Sequence, residues 1–114
     1  MPRDISEIRG YHAHVYFDPE TAETARRLRQ EIERRFDIEM GRFHEKPVGP
    51  HPRFSYQVAF APEVFGILIP WLALNRDGLT VFVHADTGAD FLDHTSHVVW
   101  LGESEELKLS IFNR

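Results

Sequence analysis

The chain has 114 residues, enough for one domain with a real core and too few for two catalytic domains. With 42% hydrophobic and 27% charged residues, its composition is neither that of a disordered chain nor that of a membrane-embedded one. Thirteen basic residues stand against 18 acidic ones, a formal charge of −5, which is the wrong sign for a nucleic-acid binder. The absence of cysteine excludes disulfides, thiolate zinc sites, iron–sulfur clusters and cysteine nucleophiles. Seven histidines remain, so any transition metal must be held by nitrogen and oxygen. A chain this small also predicts that one wall of a pocket comes from a second subunit.

The first nine residues, Met-Pro-Arg-Asp-Ile-Ser-Glu-Ile-Arg, contain no apolar signal core. The longest greasy stretch, Val64 to Leu74, is interrupted by Gly66 and Pro70 and is too short to span a bilayer. A soluble cytoplasmic protein is expected, with no membrane and no nucleic-acid partner.

Tyr11 to Phe17 is aromatic and β-branched and reads as a strand. Asp18-Pro19 then supplies an N-cap acid followed by proline at the first helical position. Ala22, Ala25, Leu28, Ile32 and Phe36 form one apolar stripe of an amphipathic helix. Ile38 to Phe43 alternates weakly and predicts a second strand. Residues 46–52, with three prolines and a glycine, are irregular.

Phe54 to Phe60 alternates and predicts a half-buried strand. Pro62-Glu63 opens a second helix carrying Phe65, Leu68, Ile69, Leu72 and Ala73, kinked or shortened by Pro70 and closed by a left-handed Gly78. Trp71 is assigned to the core with Leu68, Ile69 and Leu72. Leu79 to His84 and His97 to Leu101 read as strands, with residues 85–97 forming a polar loop between them and Glu103, Glu105 and Glu106 a solvated surface.

The order β-α-β-β-α-β plus a final strand is the ferredoxin-like α+β pattern: an antiparallel sheet with two helices on one face. The other face is left open for a ligand or a dimer partner.

Strand alternation sorts the histidines. His12, His14 and Tyr16 share one face of the first strand; Tyr11, Ala13, Val15 and Phe17 share the other. Thr80, Phe82 and His84 share a face of the fourth strand, which neighbours the first in this topology. With the valines under the helices, His12, His14 and His84 converge on the open face as ligands for one ion. The rival reading makes them ordinary surface histidines bonded to their neighbours.

The proline-stiffened loop 41–53 offers His44 and His51 together with Arg42, Lys46 and Arg53, which suit a substrate carboxylate. Its rival reading is a solvated connection. The loop 85–97 offers His94 as a ligand or general acid/base, with Asp86 or Asp93 to orient an imidazole. Its rival reading is a loop satisfied by its own turns. Trp100 either lines an aromatic pocket or packs. No phosphate loop, Gly-x-Ser-x-Gly elbow or His-Glu-x-x-His occurs.

Tyr-His-Ala-His-Val-Tyr-Phe at 11–17, Pro-Val-Gly-Pro-His-Pro at 47–52, Trp-Leu-Ala-Leu-Asn-Arg at 71–76, and Val-His-Ala-Asp-Thr-Gly running on to Asp-His and Trp-Leu-Gly at 100–102 resemble the DOPA 4,5-dioxygenase family. The resemblance spans roughly residues 9 to 112, and the whole chain, 1–114, is read as one such domain. It implies an extradiol dioxygenase, a non-haem Fe(II) enzyme opening catechols such as L-DOPA or caffeate with O2. It implies a ferredoxin-like domain that dimerises.

By this likeness His12, His14, His51, His84 and His94 are the functional histidines, and His97 is incidental. We assign the metal to His12, His14 and His84 and acid–base work to His51 and His94. Arg53 or Arg42 is assigned to a substrate carboxylate, and Tyr16, Phe82 and Trp100 to the substrate ring. Zinc or nickel are expected substitutes for iron. No carboxylate lies on the histidine face, so the site is either all-imidazole or completed by Asp86 or Asp93 from the loop. The rival functions are a non-catalytic metal- or ligand-binding dimer, and a cofactor-free or metal-assisted enzyme on the same fold.

Overall fold

The structure, a computed structural model, describes residues 1–112. Its elements are β1 (Gly10–Phe17), α1 (Ala22–Arg35), β2 (Glu39–Met40), β3 (Phe54–Phe60), α2 (Phe65–Asn75), β4 (Thr80–Asp86), α3 (Asp90–Thr95) and β5 (Val98–Leu101), which is the predicted order with one helix, α3, added. The strands form one antiparallel sheet in the order β2-β3-β1-β4-β5. The first four strands have the ferredoxin-like arrangement, and β5 extends the sheet beyond β4.

The apolar stripe of α1 is seated as predicted, with Ala22, Ala25, Leu28 and Ile32 buried. Its start differs. The 3-10 turn Pro19–Thr21 precedes it, and Thr21 Oγ1 accepts the Asp18 backbone N–H at 2.8 Å. Asp18 is the N-cap of that turn, in a capping box with Thr21 and with Pro19 in the first position as expected, and its carboxylate also reaches Arg53. Helix α2 buries Leu68, Ile69 and Leu72 and continues through Pro70, which lacks the N–H that would bond the Gly66 carbonyl on the exposed side. Gly78 has φ +81°, as the predicted left-handed cap requires.

Ala13, Val15 and Phe17 of β1, Tyr56 and Val58 of β3, and Val81 and Val83 of β4 face the helices as one core. Trp71, assigned to that core, lies at its rim. It is half-buried, with its ring 5.4 Å from Phe36 and the Arg35 guanidinium 5.7 Å from its centroid.

Three further expectations are corrected. The strand over 38–43 shrinks to Glu39–Met40, because Arg42 and Phe43 together oppose Tyr56, between Gly41 bonded to Gln57 and His44 bridged to Ser55. That bulge turns Phe43 onto Phe17 and Tyr56 and ends the regular ladder. The polar loop 85–97 contains the helix α3. Glu105, expected in solvent, is ion-paired to Arg53 at 2.6 Å. No helix among the described residues is long and apolar enough to cross a membrane.

Candidate metal centre

The register β1–β4 builds the site. His12 lies directly opposite His84, and His14 opposite Phe82. Because side chains alternate, the valines that enter the core from Val15, Val81 and Val83 force His12, His14 and His84 onto the other face. There each of the three imidazoles offers a nitrogen, all within 4.8 Å of one another. His14 Nε2 and His84 Nε2 are 3.0 Å apart.

That face is not open. His14 is 5% exposed and His84 3%, and Tyr16 and Phe82 are fully buried. Loop 46–53 supplies one cover. Gly49, at φ +55°, opens a turn closed by the His51 N–H on the Val48 carbonyl, and Pro50 stiffens it. The turn buries His51, with its ring 4.1 Å from that of His14 and its Nδ1 2.7 Å from Tyr16 Oη. Helix α3 supplies the other cover, setting His94 4.0 Å from His84, ring to ring. Five imidazoles thus form a continuous cluster, three on strands and two on the covers.

Burial drives their electrostatics. Desolvation, reinforced by neighbouring imidazoles, pushes His14 well below its ordinary value. It takes His51 and His84 each down to about 4. His12 is lowered by the same cause, opposed by the charge of Asp86. At neutral pH these rings are uncharged, the form that binds a metal.

Two rings are also fixed in orientation. His84 Nδ1 lies 3.0 Å from the Ala85 carbonyl and His94 Nδ1 2.7 Å from the Asp90 carbonyl. Donation through Nδ1 leaves each Nε2 an acceptor, and that of His84 faces His14 Nε2.

The donor set fits a divalent transition metal held by nitrogen. At an imidazole–metal distance of ~2.1 Å, nitrogens 3.0 Å apart subtend about 90° at a shared ion. No carboxylate belongs to the group. Asp86 bonds Arg9 and the Gly88 N–H. Asp93 is buried with Thr87 and with His97 Nδ1 at 2.8 Å. Desolvation pushes Asp93 upward, but the His97 and Thr87 hydrogen bonds outweigh it and hold it below its usual range. Asp93 therefore orients His97, which lies apart from the cluster, and none of the five.

The other nominated residues divide. Phe82 and Trp100 stack at 4.5 Å beneath the cluster, and Tyr16 lies 6.2 Å from Trp100. Tyr16 serves as the partner of His51 rather than as an exposed ring. Arg53 is occupied: its Nε and Nη2 donate to Asp18, and its Nη1 donates to Glu105. Arg42 is exposed at the bulge, and no hydrogen bond or ring contact among the described residues ties it to the imidazoles. His44 is bridged to Ser55 at the sheet edge, and no ring contact among the described residues ties it to the five imidazoles. Glu105 and Phe112, whose ring lies 4.6 Å from His94, belong to the site's surroundings and carried no periodic signal in the sequence.

The sequence model of the Dopa 4,5-dioxygenase family matches residues 11–111. The chain is 40% identical over 122 residues to an uncharacterized 21.2 kDa protein of Botryotinia fuckeliana, covering 96% of this chain and 67% of that one. It is 33% identical over 114 residues to the DOPA 4,5-dioxygenase of Amanita muscaria, covering 92% of this chain and 50% of that enzyme. A crystal structure from Nostoc punctiforme PCC 73102, described as "a putative dioxygenase", superposes with a TM-score of 0.94 at 45% identity, covering 96% of this chain and 95% of that one. These likenesses support an oxygenase-type enzyme, and the match across 11–111 settles membership: this chain belongs to the DOPA 4,5-dioxygenase family.

Proposed function

We propose that the chain is an extradiol ring-cleaving dioxygenase, holding non-haem Fe(II) on His12, His14 and His84 and opening catechols such as L-DOPA or caffeate with O2. The observation that carries this reading is the convergence of three uncharged strand imidazoles, flanked by two more that the group does not need as ligands. Fe(II), when bound, supplies Lewis acidity and a template that brings catecholate and O2 together.

The chain's own residues do the rest. Among the described residues Tyr16 Oη has no other hydrogen-bond acceptor, and burial together with the Glu105 charge keeps its phenol protonated. Its O–H therefore donates to His51 Nδ1, leaving the His51 ring proton on Nε2. His51 is then a hydrogen-bond donor through Nε2–H. His94, with Nδ1–H donated to Asp90, keeps Nε2 as the acceptor for a catechol proton. Phe82 and Trp100 form an apolar floor that excludes water.

The test is anaerobic Fe(II) loading, then L-DOPA or caffeate in air. Stoichiometric O2 uptake with a yellow ring-opened product is expected. A panel of catechols that gives neither would overturn the reading.

A further inference from the structure

The two covers of the imidazole cluster are tied together by residues 102–112. Glu105 Oε2 accepts from Arg53 Nη1 at 2.6 Å, beside the His51 loop. The Lys108 N–H donates to the Pro50 carbonyl at 2.8 Å, on the loop itself. The Phe112 ring rests 4.6 Å from His94, on α3. Three ties at intervals of three or four residues hold a segment with no regular structure except the 3-10 turn Leu109–Ile111. Such a segment has no ladder of its own to lose, so it opens at lower cost than a strand or helix.

Arg53 is the firmest of the ties and is only 27% exposed, against 23% for Glu105. The guanidinium divides its donors. Nε and Nη2 serve Asp18, which precedes α1, while Nη1 serves Glu105. Glu105 also stands near enough to Tyr16 for its charge to act on the phenol that bonds His51. A carboxylate of the chain thus fills an arginine at the rim of the cluster.

We propose that residues 102–112 are a strap over the imidazole cluster, latched by Glu105 on Arg53, and that an aromatic ligand bearing a carboxylate opens it by taking the place of Glu105. The exchange strands no charge: Arg53 keeps Asp18 and swaps one carboxylate for another, while Glu105 passes into water. A catechol without a carboxylate has nothing to offer Arg53. The ligand half of this inference rests on the dioxygenase reading; the latch does not.

The test is amide hydrogen exchange of Lys108 in the full-length chain, read against amides of β1, with caffeate and 4-methylcatechol as probes. Binding of each probe is measured by equilibrium dialysis. Glu105→Gln is expected to speed Lys108 exchange roughly three- to tenfold, the range for loss of a partly buried ion pair, with β1 unmoved. Glu103→Gln, on the exposed surface, is expected to change nothing.

Bound caffeate is expected to give wild type the same acceleration and Glu105→Gln no more, while 4-methylcatechol gives none. An unmoved Lys108 in Glu105→Gln overturns the latch. Caffeate that fails to bind, binds without moving Lys108, or acts no differently from 4-methylcatechol overturns the ligand half. If Glu105→Gln disturbs β1, Glu105→Asp, which keeps the charge and shortens the reach, is read in its place by the same criteria. Exchange reads no turnover, so even a chain that cleaves no catechol reveals whether the strap opens.

Discussion

Both faces of the sheet are buried at their centre, by different means. On the helix side, Val15, Phe17, Val58, Val81 and Val83 meet the apolar stripes of α1 and α2, and burial itself is the stabilising term. On the other side, His14, Tyr16, His51 and His84 are equally hidden, yet their polar atoms must find one another. Desolvating them opposes folding unless they stay neutral and bonded. One face holds the protein together; the other is tolerated by it and keeps three uncharged imidazoles that could hold a metal ion.

Four changes bear on that contrast. Leu72→Ala strikes the helix side, where the residue is fully buried, and is expected to cost about 2–5 kcal/mol in denaturant unfolding while leaving metal affinity intact. His84→Ala strikes the other side. It is expected to lower affinity for Fe(II) or Zn(II) by at least about a hundredfold, read by calorimetric titration, and to abolish catechol-dependent O2 uptake. If the two variants behaved alike, the contrast would be wrong.

Acid sharpens the comparison. His51 and His84 titrate at about 4 in the fold against 6.5 free. The unfolded chain therefore binds more protons between these values. Stability is full above pH 6.5, falls as pH drops toward 4, and levels below it, by at most about 3 kcal/mol per imidazole. Metal-free protein followed by urea unfolding at several pH values checks the sign.

Tyr16→Phe has the smallest expected effect. It removes the hydrogen bond to His51 at a cost of about 1 kcal/mol, leaves metal affinity unchanged, and lowers the rate of ring opening more than it changes KM, as stopped-flow and steady-state kinetics would show.

The helix-side face was legible in the sequence because periodicity is a local signal. The α1 stripe and the alternation of β1 and β4 determine which residues share a side, and alternation alone brings His12, His14 and His84 together. The depth of that second face was not legible. Its covers are a six-residue helix, in which adjacent Phe91 and Leu92 make no stripe, and the irregular proline-rich loop 46–53, which has no periodicity to read. Nor does a sequence reveal that Arg53 is claimed by a carboxylate 52 positions onward, or that Asp93 is spent on His97. Such pairings depend on long-range closure. The bulge at Arg42 and Phe43 defeated the β2 assignment for the same reason: alternation counts residues and cannot see two opposing one.

The ladder between β1 and β4 has a final consequence. His12 faces His84 across it, and Val83 faces Ala13. Slide one strand by a single residue and every side chain changes sides: His84 would be driven among the aliphatic residues, and an aliphatic side chain would take its place beside His12. The protein therefore cannot assemble its interior correctly and its binding centre incorrectly. A misaligned chain fails both requirements in one stroke, so a correctly packed interior already fixes the spacing of the three histidines.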